Sequence, residues 1–341
     1  MSDGFNVAVV GATGAVGREM LEILHDRAFP IRSLKALASE RSAGHELWVG
    51  DKPLIVETAH PDAFEGVDIA LFSAGSSVSL QLGPEAWKRG CLVIDNSSAW
   101  RMDPQVPLVV PEVNAHALEG YTQKGIIGNP NCSTIQMVVA LQAIHQLSPV
   151  TRVIVSTYQA ASGAGNKGVE ELRQQSIDAL NLRPTGHKTF QHQLAFNVIP
   201  HIDIFMPDGF TREEKKMILE TRKIMEMPGL PVNATCVRVP VFTGHSESIY
   251  VETEEELSLE AVREAFDNFD GLESIDNPED NKYPMPFPST GQDPVFVGRL
   301  RKDPTIRNGL SFWCVSDNLR KGAALNAVQI AEVMAEKYLN K

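Results

Sequence analysis

Cysteine is scarce, with four residues in 341, and none of them stands in a CxxC pair or beside histidines at zinc-ligand spacing. A structural metal site and a disulfide framework are therefore not expected. No stretch approaches the roughly 18 apolar residues of a membrane span, and the N-terminus lacks a basic segment followed by a signal-length apolar run. Those absences point to a cytoplasmic protein with reduced thiols that has no membrane partner. Positive charge is also in deficit: Lys and Arg total 31 against 43 Asp and Glu, for a net charge of -12. Broad attraction to nucleic acid phosphates is excluded on that balance, although a local basic pocket for a small anion is not. Aromatic residues are few at 7%, yet 43% hydrophobic and 22% charged residues lie in the ordinary globular range. A chain of this length suits two domains, each with its own core.

What is present begins at the first strand. The apolar run 5–10 (FNVAVV) is followed at once by the glycine turn Gly11-Ala-Thr-Gly14-Ala-Val-Gly17 and a helical pattern. Further strand candidates at 34–38, 67–72 and 92–95, with a helix across 81–89, predict a doubly wound parallel sheet of Rossmann type. The character changes near Asn129-Pro130. Beyond it a helix over 133–147, strands at 152–157, 235–241, 248–252 and 310–315, and helices at 212–226 and 258–267 predict an α+β domain. The proline-rich stretch 275–293 reads as an extended loop, and 322–338 as an amphipathic helix able to pack back on the first domain. The expected organisation is an NADP-binding domain over 1–130, joined by a C-terminal helix over 318–341, and a catalytic and dimerisation domain over 131–317.

Three stretches carry chemistry. The glycine turn lies between a strand and a helix, where backbone N–H groups and the helix N-terminus receive a pyrophosphate, so Gly11, Gly14 and Gly17 mark a dinucleotide site. At the end of the second strand, Arg41 between Ser39 and Ser42 suits a ribose 2′-phosphate and favours NADP; Glu40 could instead receive a ribose hydroxyl. Cys132 stands where a proline-bearing loop meets the first turn of a helix, a place that stabilises a thiolate and offers amides to an oxyanion. Cys91, Cys236 and Cys314 lie in or beside apolar strands and read as buried packing residues. A nucleophilic thiol needs a proton acceptor. His245 follows a strand through a glycine turn, but His187, His192 and His201 share loop-like contexts, and spacing alone does not choose among them.

At this point the chain resembles the bacterial aspartate-semialdehyde dehydrogenases along essentially its whole length. The ordered motifs are GATGAVG (11–17), ASERSAG (38–44), DNSSAWRMD (95–103), VPEVN (110–114), GNPNCST (128–134), YQAASGAG (158–165), FNVIPHID (196–203), EEKKMILETRKI (213–224), RVPVFTGHSESI (238–249) and DNLRKGAALNA (317–327). Trp100 stands where that family more often has Phe. The resemblance implies reversible NADPH-dependent reductive dephosphorylation of L-aspartyl 4-phosphate to L-aspartate 4-semialdehyde and phosphate, on the route to lysine (with diaminopimelate), methionine and threonine. It implies Cys132 as nucleophile, His245 as acid/base, Gln159 orienting the acyl group and Asn131 beside the cysteine. Arg101 and Lys216 would bind phosphate, and Glu213 and Arg238 the substrate's amino and carboxylate groups. Cofactor contacts would fall on Thr13, Gly14, Ala15, Val16, Ser39, Arg41, Ser42, Ser73, Ser162, Gly163 and Asn318, and the second domain would form a homodimer.

The chemistry accounts for these residue types. A thiol adds to an aldehyde, loss of hydride gives a thioester, and phosphate displaces it. An ordinary imidazole pKa of about 6.5 is expected to suit the proton transfers. Without the resemblance, Glu213 and Lys216, three apart on a helix, could simply pair with each other. Two alternatives share parts of the pattern: an N-acetyl-glutamyl-phosphate reductase, whose substrate offers no ammonium to Glu213, and a catalytically silent NADP-binding paralogue.

Overall fold

The computed structural model describes residues 4–339, which fall into two compact units, the first made of the described residues up to 131 together with those from 323 onward and the second of residues 132–322. Among the described residues the first unit holds seven strands: β1 (Phe5–Val10), β2 (Ile31–Ala38), β3 (Glu46–Val49), β4 (Lys52–Thr58), β5 (Ile69–Phe72), β6 (Leu92–Asp95) and β7 (Ile126–Gly128). Their order is β3-β4-β2-β1-β5-β6-β7, parallel throughout except for the β3–β4 hairpin. The apolar continuity of β1 follows from burial on both faces. Val7 and Val9 enter the core beneath the helices Ala15–Asp26 and Leu325–Lys337, while Ala8 and Val10 enter the core on the opposite side.

The glycine turn at the end of β1 lies between the ends of β2 and β5, where the strand order reverses. Gly11 has φ +84°, and a Cβ there would meet the Ser73 carbonyl oxygen at 2.4 Å. A Cβ on Gly17 would meet the Gly11 carbonyl oxygen at 2.2 Å, so the helix starts hard against the turn that feeds it.

The second unit contains β8 (Val150–Gln159), β9 (Val232–Arg238), β10 (His245–Thr253), β11 (Leu272–Ser274), β12 (Val295–Lys302) and β13 (Gly309–Ser316), in the mixed order β11-β12-β13-β10-β8-β9. The helix Cys132–His145 packs on one face of this sheet, beside the helices Arg212–Ile224 and Leu259–Asn268. It is buried on nearly every side, which explains an apolar sequence without helical amphipathicity. The other face leaves Tyr158 and Tyr250 exposed and Ile154 and Trp313 half-buried, with the Tyr158 and Trp313 rings 5.3 Å apart.

Several expectations need correction. The C-terminal helix spans Leu325–Lys337 rather than 318–341, because Asp317 accepts the amides of Leu319 and Arg320, and a π-turn at Arg320–Ala324 precedes the regular helix. Residues 340–341 lie outside the described chain. The stretch 275–293 is not wholly extended: it holds a 3-10 turn at Pro278–Asp280 and a helical turn at Pro286–Ser289. The β3–β4 hairpin, β12 and the helix Asn166–Leu180 are further elements not expected from the sequence.

Candidate active site

In the first unit, Thr13, Gly14, Ala15 and Val16 form the turn and the start of the helix Ala15–Asp26, whose first turn carries no acidic side chain and whose N-cap, Gly14, supplies no side-chain cap. Such an end leaves donors and positive potential for an anion. Ser39, Arg41 and Ser42 stand in the turn after β2, with Arg41 exposed, and Ser73 directly follows β5. A turn held close to its own backbone at Gly11 and Gly17, an uncapped helix start directly after it and an arginine following the neighbouring strand β2 fit a dinucleotide. Arg101 is buried, and its Nη2 donates to the Asn96 carbonyl at 2.7 Å. The segment ending in buried Asn131 is tied down by Asn129, which donates to the Ala323 carbonyl at 3.0 Å and accepts from Asn326 at 2.6 Å.

In the second unit, Cys132 is the first residue of its helix and is partly exposed, whereas Cys91, Cys236 and Cys314 are buried. Burial pushes the Cys236 and Cys314 thiols far above the usual range, as expected of packing residues. Gly322 packs against the reactive position; a Cβ on it would stand 3.0 Å from Cys132 Cβ.

His245 opens β10, immediately after Gly244 at φ +93°, rather than lying in a loop beyond a strand. It is fully buried, and its Nδ1 accepts the Ala160 amide at 3.1 Å. Its pKa is not the ordinary one expected: burial, reinforced by the neighbouring Arg238 charge and opposed only by Glu213, lowers it to about 3. The ring is therefore neutral near pH 7. Arg238, at the end of β9 and in register with Gln159 on β8, donates from Nη1 to the Ala160 carbonyl at 2.6 Å. The single residue Ala160 thus holds His245 by its N–H and Arg238 by its C=O. Gly163 lies close to both; a Cβ there would be 2.7 Å from Arg238 Nη1 and 3.4 Å from His245 Nε2. Asn318 exchanges hydrogen bonds with Ser162 and accepts the Gly244 amide at 2.9 Å, which steadies the segments on either side of His245.

The helix Arg212–Ile224 separates its charges by face. Glu214 closes a capping box with Thr211 and accepts the Cys236 amide at 3.0 Å, while Lys215 pairs with Asp208 and covers the Phe210 ring. Glu213 and Lys216 turn the other way: Glu213 accepts from Gln159 at 3.3 Å and from Lys216 at 3.0 Å. Lys216 also meets Asp203 at 3.0 Å, and the two carboxylates outweigh burial and raise its pKa. Gln159, Glu213, Lys216, Arg238, His245, Gly163, Ser162 and Asn318 thus make one linked constellation in the unit that begins at Cys132. Ala160 and Asp203 were not singled out by sequence reasoning; both fall inside motifs already marked, YQAASGAG and FNVIPHID. Among the described residues, no cluster of three or more His, Cys, Asp or Glu could hold a metal, and no helix is long and apolar enough to cross a membrane.

Two family models match the chain. One, described as semialdehyde dehydrogenase, NAD binding domain, covers residues 6–121, and the other, semialdehyde dehydrogenase, dimerisation domain, covers residues 141–321. Proteins named aspartate-semialdehyde dehydrogenase from Aquifex aeolicus and Bacillus subtilis are 55% and 53% identical, with 98% and 100% of this chain and 99% of each relative covered. The chain belongs to the aspartate-semialdehyde dehydrogenase family. Membership extends to the fold: the crystal structure of aspartate semialdehyde dehydrogenase II complexed with ASA from Vibrio cholerae matches with a TM-score of 0.97 at 47% identity, over 99% of this chain and all of that one. Like other members of the aspartate-semialdehyde dehydrogenase family, the chain carries a nicotinamide dinucleotide-binding domain, here built on the β1 glycine turn.

Proposed function

We propose that the protein catalyses the reversible NADPH-dependent reductive dephosphorylation of L-aspartyl 4-phosphate to L-aspartate 4-semialdehyde and phosphate, through a thioester on Cys132. The observation that carries the reading is the Ala160 junction, which holds a neutral, buried imidazole and a buried guanidinium on one residue, in the unit whose first residue is a partly exposed cysteine.

Each side chain has a part. Cys132 Sγ adds as the thiolate to the aldehyde carbon, and the His245 Nε2–H is shared with the carbonyl oxygen as that oxygen takes up the negative charge. His245 holds that proton fully again as the adduct collapses. Gln159 aligns the acyl group through its carboxamide, and Asn131 stands next to the nucleophile in the chain. Arg238 grips the substrate carboxylate by its planar fork, and Glu213 meets the ammonium. Glu213 already accepts from Gln159 and Lys216, but a carboxylate has about four acceptor positions, so a third donor can be accommodated. Arg101 and Lys216 receive phosphate, which then displaces the thiol.

Gly11, Thr13, Gly14, Ala15, Val16 and Gly17 would hold the cofactor pyrophosphate, Ser39, Arg41 and Ser42 the ribose 2′-phosphate, and Ser73, Ser162, Gly163 and Asn318 its remaining parts. When bound, the nicotinamide supplies or accepts the hydride. NADP is preferred over NAD because Arg41, exposed between two hydroxyls, suits a phosphate dianion. The protein acts as a cytoplasmic homodimer, with the half-exposed face of Ile154, Tyr158, Tyr250 and Trp313 as the interface; sedimentation is expected to find the dimer.

The test is NADP reduction with L-aspartate 4-semialdehyde, with and without phosphate, on the wild type and on Cys132→Ala. Phosphate-dependent turnover in the wild type and none in the variant is expected. A wild type that binds NADP without turnover would overturn the reading and direct attention to the acetylated glutamyl substrate.

A further inference from the structure

Beside the reacting groups, the segment 186–195 has no regular secondary structure, yet two side chains of one helix fasten it at six backbone positions. Glu171 and Gln175 stand four apart on the helix Asn166–Leu180 and so share a face. Glu171 Oε2 accepts the amides of Lys188 at 2.9 Å and Thr189 at 2.6 Å, and its Oε1 accepts that of Phe190 at 3.3 Å. Gln175 Oε1 accepts the amides of Leu194 at 2.8 Å and Ala195 at 3.1 Å, while its Nε2 donates to the Gly186 carbonyl at 2.9 Å. Burial alone would raise the Glu171 pKa, but the three backbone donors reverse that and hold it below the usual carboxylate range.

The clamp delivers a ring to the site. Phe190 is buried in a cluster with Ala161, Leu172, Leu194, Ala195 and Ile199, and the Arg238 guanidinium lies over its face, 5.9 Å from the centroid. Ile199 then exchanges both backbone hydrogen bonds with Arg238, at 2.9 and 2.8 Å. One edge of Arg238 is thereby set by the Ala160 carbonyl and one face by an aromatic ring, which withholds water from that face and strengthens the cation's remaining interactions.

We propose that Glu171 and Gln175 are positioning residues for substrate recognition, which hold Phe190 against Arg238 and so fix the fork that receives the substrate carboxylate. This inference rests on the reading of Arg238 given above. The two residues touch neither substrate nor cofactor; they act through Phe190, and their loss costs substrate affinity rather than chemistry.

The experiment measures KM and kcat for L-aspartate 4-semialdehyde, with KM for NADP as a reference, in Glu171→Ala, Gln175→Ala and the milder Phe190→Leu. Arg238→Met and the double variant Arg238→Met/Phe190→Leu run alongside. Each clamp variant is expected to raise the substrate KM by about tenfold, the scale of a desolvated cation–aromatic contact, with kcat within about twofold and the NADP KM unchanged. Phe190→Leu keeps an apolar side chain in the cluster and carries the test if Glu171→Ala does not fold. Non-additivity in the double variant is expected, because Phe190 acts through Arg238. A raised KM in Arg238→Met with unchanged KM in the clamp variants overturns the positioning role alone, as does strict additivity. An unchanged KM in Arg238→Met removes the carboxylate reading and this inference with it.

Discussion

The Ala160 amide donates to Nδ1 of His245 across 3.1 Å, and this bond determines which nitrogen of the imidazole does the chemistry. A backbone N–H can only give a proton, so Nδ1 must present its lone pair and the neutral ring carries its hydrogen on Nε2. Protonating Nδ1 would set N–H against N–H inside a buried site. That geometry adds to the burial and the Arg238 charge that already disfavour the imidazolium. His245 therefore meets an aldehyde or acyl oxygen as a hydrogen-bond donor, sharing its Nε2 proton as charge develops there and holding it fully again when that charge is lost.

Because its pKa is held near 3, His245 should contribute no limb around pH 6.5 to the kcat/KM profile, which reports the free enzyme. His245→Gln is expected to lower kcat by about 10²- to 10⁴-fold while leaving the acid side of that profile unchanged in shape. A limb near 6.5 present in the wild type and missing from the variant would refute the assignment. Stability carries the same signature. Between about pH 6.5 and 3 the unfolded chain binds a proton that the folded one refuses, so His245 makes the fold lose stability as pH falls through that window. Acid titration of the thermal midpoint in both proteins measures the difference.

Gly322 and Cys132 set a second expectation. A methyl group on Gly322 would lie 3.0 Å from Cys132 Cβ and 3.4 Å from its Cα. The helix begun by Cys132 is buried on nearly all sides, so the reacting sulfur must shift by a few tenths of an ångström. Gly322→Ala should lower kcat by about tenfold or more with little change in substrate KM. The rate of Cys132 alkylation by iodoacetamide, followed together with kcat, tests whether the thiol is the part displaced.

Much of this site was legible because its motifs are local. The β1 run, the glycine turn and the following helix form one continuous stretch, and each glycine answers to a backbone contact that only its neighbours in sequence and β5 create. Cys132 could be placed at a helix start from its proline-bearing loop. The state of His245 could not, since its pKa arises from burial first and then from Arg238 on another strand, and its tautomer from Ala160, 85 residues away. The face taken by Glu213 and Lys216 was equally hidden, because EEKK offers two candidates of each charge until the capping box claims Glu214 and Asp208 claims Lys215. The β3–β4 hairpin escaped notice for a different reason: it is short, half-exposed at a sheet edge, and contains Pro53.

Arg41 is the residue on which cofactor choice should turn. It is exposed in a 3-10 turn, so its removal leaves the fold intact and tests only the ligand. Arg41→Ala is expected to raise the KM for NADP by about 10- to 100-fold, the range of a lost charge-assisted hydrogen bond, and to leave the KM for NAD nearly unchanged. Equal effects on both cofactors would transfer the ribose contact to Glu40 or to the neighbouring hydroxyls.

Glu247 provides a stability test close to the site yet separate from the chemistry. It lies two residues beyond His245 on β10, opposite Cys314 on β13 and Thr157 on β8, and is fully buried. Neither carboxyl oxygen has a hydrogen-bond partner among the described residues, and no cation offsets its burial, which pushes its pKa well up against only the nearby Gln136 carboxamide. The folded protein thus keeps a proton on Glu247 that the unfolded chain releases above about pH 4.5. Above that pH the native state binds more protons, so this residue costs stability as pH rises, with a slope of up to about 1.4 kcal/mol per pH unit. Glu247→Gln preserves the shape and cannot ionise. Its thermal midpoint should therefore match the wild type near pH 4.5 and gain on it as pH is raised above that value. A difference that stays constant across that range would mean that Glu247 is ionised in the folded protein, with a compensating partner yet to be found.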